Sequence, residues 1–576
     1  MQTPSIKRSL FLLSFLFTGV LFAQDKPLGS ETVIVVKPYT PSVNDAFKIK
    51  ETPVMGDSVS LEKKPVKYSI FSVPVASTFT PSKGQATKVE KEKRVKLYDN
   101  YATLGFGNYS NILAEFYSNL EISRSDNFGI YLTHNSSQGG IEDVRLDDKY
   151  YDTELNLNYS SKNKNSSWGT QLGLEHQLFN WYGLPEYLNL ANEVTQTINP
   201  MQNYYSATVG GEVDMYDSFL NKASANYRYF GDSHNSTEHN FKADTDFEVS
   251  IANELISTKV FADVLSGSFE KNYANTGGLN YTNMIFGATP SLLVLRDNLT
   301  LNLGASFVYA LDTENSDNSF YIYPQVTASY RLAGDYFIAF AGLEGSLAQN
   351  TYYNFSQENP YVSPTLNIVP TDKPYDAYVG AKGKLTNSIG YSLKGGYSTE
   401  INKALFLTNL SNTTSSEDYA YGNSFGVVYD DVNTLSFSGE INVDVNRDFK
   451  LGLNATVFDY STDSQEEAWN LPDVKASILM DYQITEKWFA GANLYFMGER
   501  KDREEVLYAG DVVGSKTVSL DSFTDLNANV GYRFTDQLSI FAKGNNLIGN
   551  SYERWSNFPV QGIQIMAGAT YKFDYK

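Results

Sequence analysis

Residues Ile563 to Tyr575 read IQIMAGATYKFDY. Ile563, Ile565, Ala567, Ala569, Tyr571, Phe573 and Tyr575 alternate with Gln564, Met566, Gly568, Thr570, Lys572 and Asp574. Side chains of a strand point to opposite faces in turn, so this segment is a ribbon with one oily, aromatic-tipped face and one small or polar face. A ribbon of about ten residues with an apolar outer side suits a sheet that meets lipid outside and water inside. Two soluble sheets would press their apolar faces together instead. The pattern recurs from about Tyr101 to the C-terminus, which predicts an all-β chain closed into a transmembrane antiparallel β-barrel.

The same alternation runs through the middle of the chain. Tyr151, Leu155 and Leu157 oppose Asp152, Glu154 and Asn156, and Phe241, Ala243, Phe247 and Val249 oppose Lys242, Asp244, Asp246 and Glu248. The polar set points inward, so the lumen is wet and mostly acidic. Asp152, Glu154, Asp244, Asp246 and Glu248 are the candidate lumen acids.

Composition agrees. No apolar run approaches the ~20 residues of a membrane helix, yet aromatics make up 14% of the chain, with 42 Tyr and 35 Phe. Barrels use such residues as girdles at the two lipid boundaries. Residues 1–23 have the form of a secretory signal: Lys7 and Arg8, an apolar stretch from Leu10 to Phe22, then Ala23 before Gln24. The chain has no cysteine, hence no disulfide and no lipid-bearing residue after the signal. The expected location is the cell outer membrane of a Gram-negative bacterium.

Residues 24–97 differ from the rest. Seven prolines from Pro27 to Pro81 interrupt them, and 13 Lys/Arg stand against 8 Asp/Glu. Such a stretch buries no core of its own, and it reads as a short, mostly irregular periplasmic leader. From Tyr98 onward the balance reverses, to 30 Lys/Arg against 58 Asp/Glu. An acidic barrel of this kind repels nucleic acid. Within 98–576, ten short turns, from 124–127 to 535–536, alternate with longer connections such as 137–149, 181–203, 350–375, 404–422 and 549–561. Short periplasmic turns and long external loops are the habit of barrels, and the rhythm counts about 22 strands. That parity requires 423–444 to be one strand, kinked by a bulge near Asp430-Asp431.

The C-terminal motifs add a family. Asn470-Leu471-Pro472, Tyr482 and Gly498-Glu499-Arg500 resemble the closing strands of TonB-dependent receptors. So do Tyr532-Arg533-Phe534, Asn545-Asn546-Leu547, Tyr552, Trp555, Phe558-Pro559, Gly562 and Tyr571-Lys572-Phe573. Glu358-Asn359-Pro360 and Gly439-Glu440 are similar to recurring pieces of that barrel. The resemblance is good over 425–576 and weaker over 98–424, and it implies 22 strands. Glu31-Thr32-Val33-Ile34-Val35-Val36 resembles the TonB box, which pairs edge-to-edge with TonB. The family's plug domain finds no room between the signal and Tyr98. Either the basic run Lys88, Lys91, Lys93, Arg94 and Lys96 enters the anionic lumen, or a partner protein caps one mouth.

Chemistry is sparse. His134, His176, His234 and His239 show no metal-binding spacing, and no cofactor or enzymatic activity is expected. Asp143, Asp147, Asp148 and Asp312, Glu314, Asp317 offer hard oxygens to calcium or are solvated loops. Phe179-Asn180-Trp181-Tyr182 and Tyr352-Tyr353-Asn354-Phe355 read as sugar-stacking, partner-packing or girdle aromatics. Two functions compete: a structural or docking subunit of an outer-membrane protein complex, and a TonB-linked transporter gated by the leader or a partner lid. Expected partners are outer-membrane lipids, other outer-membrane or periplasmic subunits and, in the second reading, TonB.

Overall fold

The computed structural model describes residues 96–575, apart from 189, 252–253, 275–276, 413–414, 447 and 509–510. Twenty-two strands form one closed antiparallel sheet, each bonded to its sequence neighbours in the wall. Closure is made by the first strand, Asn100–Gly107, which pairs along its whole length with the last, Gln564–Phe573. Closing the sheet leaves no edge for another chain to extend.

The alternation of the quoted segment is the physical basis of the wall. Ile565 and Tyr571 face outward and are exposed, as are Phe437 on Phe425–Asn446, Val379 on Thr371–Thr386 and Leu104 on Asn100–Gly107. Thr570 turns the other way and shares a side-chain hydrogen bond with Thr103 across the seam. On the lumen face several aromatic rings lie flat on glycines of the next strand. The Phe261 ring lies where a Cβ on Gly287 would stand, 2.3 Å away; only a residue without a side chain fits there.

The two ends of the barrel differ. The short connections fall on one end, for example 216–219 between Met201–Met215 and Leu220–Asp232, where Asp217 takes φ 56°. The other end carries long loops at 138–149, 181–200, 349–370, 409–424, 498–522 and 546–563. Loop 498–522 contains its own hairpin, Arg500–Tyr508 with Asp511–Leu520, standing off the wall. Consequently Trp488–Met497 pairs directly with Phe523–Arg533.

Wall height varies from 8 residues in the first strand to 22 in Phe425–Asn446. Ten residues cross the membrane, so the tallest wall stands well outside it. Phe425–Asn446 is a single strand, as its reading requires, but the bulge belongs to its neighbour. Between Glu400 and Lys403 of Ile389–Thr408 the register slips against Val432 and Asp430. Asn402 takes φ 54° there, and its N–H donates to Asp431 Oδ1 at 3.0 Å. The extra residue is accommodated at an asparagine because that residue tolerates the left-handed region.

Candidate functional site

The long loops fold inward and fill the outer part of the lumen. The leading element is a short helix, Tyr352–Glu358, in loop 349–370. Thr351 caps it, its Oγ accepting the Asn354 N–H at 3.0 Å. A buried wall carboxylate faces its first turn: Glu238, fully buried, accepts from Tyr352 N–H at 2.6 Å, Tyr353 N–H at 3.3 Å and Tyr281 Oη–H at 2.9 Å. The Arg228 guanidinium stands 3.7 Å from Glu238 and 4.0 Å from the centre of the Tyr353 ring. Negative charge at a helix start is favourable because the free N–H groups there carry partial positive charge. The far side of the helix reaches Ser166–Asn180: Tyr353 Oη donates to Glu175 and Gln357 Nε2 to Gln177. Glu175 lies five residues below the outer end of that strand, roughly 16 Å down the wall. The helix is therefore inside the barrel.

Above it lies a core of aromatics from several loops and walls. Tyr352, Phe355, Val362, Leu366 and Ile368 of loop 349–370 pack with Tyr182, Phe425, Trp555 and Phe558. The Tyr361 and Phe558 rings stack at 4.0 Å, Tyr182 meets Phe558 edge-on at 5.0 Å, and Phe406 meets Trp555 at 5.4 Å. Loop 349–370 also adds backbone to the wall: Val362 bridges Phe425 in parallel, with Ser363 N–H donating to the Phe425 carbonyl at 2.8 Å. Buried aromatic packing and paired backbone make the cap rigid.

The C-terminal motifs prove to be ties between loops. Asp502 of the stand-off hairpin is fully buried and accepts from Thr408 N–H, Thr408 Oγ–H and Asn470 Nδ2 at 3.0, 2.8 and 2.9 Å. Burial pushes its carboxyl above the ordinary range, against the pull of these donors. Arg500 donates to the carbonyls of Glu553 and Arg554, pinning loop 546–563. Asn470 and Asn546 hold φ 57° and 48°, which explains asparagine at both motif positions.

The predicted site residues fall as follows. Asp152 and Glu154 lie on Tyr150–Lys162 beside Gln177 and Glu175. Asp244, Asp246 and Glu248 lie lower, on Thr237–Ile251, where Lys259 Nζ reaches Asp244 Oδ1 at 2.9 Å. The structure thus separates the two groups, one under the cap and one nearer the inner mouth. Lys96 pairs with Asp574 at 2.9 Å at the inner rim, which holds the Asp574 carboxyl below its usual range. Lys88, Lys91, Lys93 and Arg94 lie outside the described residues, as do Glu31, Thr32, Val33, Ile34, Val35 and Val36. The acidic loops build turns: Asp148 accepts from the N–H groups of Gly139 and Ile141, and Asp312 from those of Glu314 and Asn315. Among the described residues no group of His, Cys, Asp or Glu is arranged to hold a metal ion. The aromatic loops Phe179–Tyr182 and Tyr352–Phe355 are neither girdle nor exposed platform; they are cap core. Their density of aromatics in loops with long reach was the available signal.

No family model matches the sequence. No curated protein matches it either. Solved structures match by shape. The FpvAI–pyocin S2 complex superposes with TM-score 0.62 at 13% identity, over 84% of this chain and 74% of that one. The siderophore receptor PirA from Acinetobacter baumannii gives 0.61 at 13%, over 84% and 81%. The ferripyoverdine receptor of the outer membrane of Pseudomonas aeruginosa gives 0.61 at 14%, over 84% and 73%. At such identities the likeness is one of fold. The chain has a 22-stranded barrel of the same fold as these receptors.

Proposed function

We propose that this barrel is a structural, docking subunit of an outer-membrane protein complex. The observation that supports the reading is the cap: the outer part of the lumen is filled by a packed aromatic core from the chain's own loops, tied by Glu238, Asp502 and Arg500. A barrel of this width serves as a pore only when its lumen is open, and a rigid seal suits a wall that others bind. The outer wall or the periplasmic mouth then serves as the docking surface, and no catalytic step is assigned to it.

A transporter reading rests on a different observation, the fold shared with siderophore receptors. In it the cap is a gate and Glu31–Val36 is drawn by TonB. Purification in mild detergent separates the two. Stoichiometric subunits that persist after deletion of 31–36 are expected. A solitary barrel, with growth on one nutrient lost after that deletion, would reverse the assignment.

A further inference from the structure

One stretch of the outer wall is hollow. Ala243, Ala262, Phe286, Tyr309 and Phe320 are direct cross-strand neighbours on five successive strands. Phe286, Tyr309 and Phe320 are exposed, so the row belongs to the lipid-facing side of the wall. Its side chains are two methyl groups followed by three rings, and Phe307 adds a fourth ring in the next row. Small residues beside large ones leave a groove of about 420 Å³ between them. A hydrocarbon chain on a convex part of the wall is touched from one side. In a groove it is touched from three, and the added dispersion contacts accumulate. Packing of this kind is what holds apolar groups together within a membrane, where water supplies no drive.

The wall nearer the outer mouth indicates what fills the groove. Four residues along the same strands, His239, Ser266 and Thr282 form a polar row on the same face. The Ser266 and Thr282 hydroxyls share a hydrogen bond at 3.1 Å, and Tyr227 Oη lies 2.7 Å from His239 Nδ1. Between this row and the groove stand only Phe241, Val264 and Met284. Four residues span about 13 Å of strand, close to half of the ~30 Å hydrocarbon core. The polar row and the groove are therefore spaced like the head-group boundary and the buried chain of a single lipid. We propose that the groove binds one acyl chain of a membrane lipid of the outer leaflet, whose head group lies at the His239–Ser266–Thr282 row. The proposal is independent of whether the barrel is a scaffold or a transporter.

The full chain in phosphatidylethanolamine vesicles tests it. A trace of the same lipid carrying a diazirine in mid-chain is activated by light, and the labelled residues are read by mass spectrometry. Val379 and Phe437 are 65% and 60% exposed on the wall, against 40% for Phe286 and Tyr309. Casual contact therefore favours the first pair. A bound chain should instead label Phe286, Phe307 and Tyr309 about tenfold more than that pair, as extra contacts convert into occupancy. Ala262→Trp, which fills the groove, should abolish the excess and leave Val379 and Phe437 labelled as before. Heat-modifiable gel mobility reports that the variant barrel is folded, and the wild-type ratio decides alone if it is not. Labelling in proportion to exposure, or an excess that survives Ala262→Trp in the folded variant, would overturn the proposal. So would a pair of barrels that the same substitution separates, since a second copy would then occupy the groove.

Discussion

Glu238 shows how much of the cap rests on one side chain. It satisfies two helix N–H groups and a tyrosine hydroxyl, and it faces Arg228. Glu238→Ala leaves those donors and a guanidinium without an acceptor, which costs about 3 kcal/mol. Limited proteolysis in loop 349–370 should then accelerate roughly a hundredfold, while Glu238→Gln, which keeps one acceptor, should fall between. At the inner rim Asp574 accepts from both Lys96 and the Asp99 N–H. Its folded pKa is depressed, so the tie is present above the unfolded carboxylate value and is lost as pH falls through the lower, folded value. Hydrogen exchange at Asp99 should lose protection below the usual carboxylate range. Unchanged protection down to the acid limit would remove Asp574 from that role.

Loop 349–370 is the element on which the closed mouth depends, because its helix, its bridge to Phe425 and its aromatics all enter the lumen. Deleting 353–366 should convert a barrel of negligible conductance into an open pore in planar bilayers, with strand content unchanged by circular dichroism. Phe558→Ala should loosen the seal without removing it. Phe558 is 1% exposed and stacks on Tyr361, and truncating such a ring costs about 3–5 kcal/mol. Intermittent openings in single-channel records are the expected sign, and a permanently silent channel in both variants would place the seal elsewhere.

The whole molecule is a two-faced wall, and charge tells the faces apart. Phe437 is 60% exposed on the outside, while Ser436, beside Gly396, points into the lumen. Phe437→Arg should cost about 2–4 kcal/mol near the hydrocarbon middle and reduce the folded, heat-modifiable fraction. Ser436→Arg, one residue away, should be tolerated. Equal damage from both would contradict the assignment of inside and outside.

The barrel was legible in the amino-acid order because its determinants are local. Ile565, Tyr571 and Phe437 face lipid, and Thr570 and Ser436 face water, by a period of two that steric geometry imposes on any strand. Turn chemistry at positions such as Asp217 then sets the rhythm that counts 22 strands. The cap was not legible. Tyr182 meets Phe558, Glu238 meets Tyr352 and Asp502 meets Asn470 across tens to hundreds of residues. No periodicity marks which loop aromatic will find which partner; that depends on shape and on which buried donors and acceptors close together. The bulge at Asn402 had the same fate, since the sequence showed the slip at Asp430-Asp431 and only strand pairing assigned it to the neighbour. Local stereochemistry, written residue by residue, was enough to specify a lipid-facing cylinder. Closure of its outer mouth was decided by tertiary packing, because contacts between distant segments exist only once the wall has brought them together.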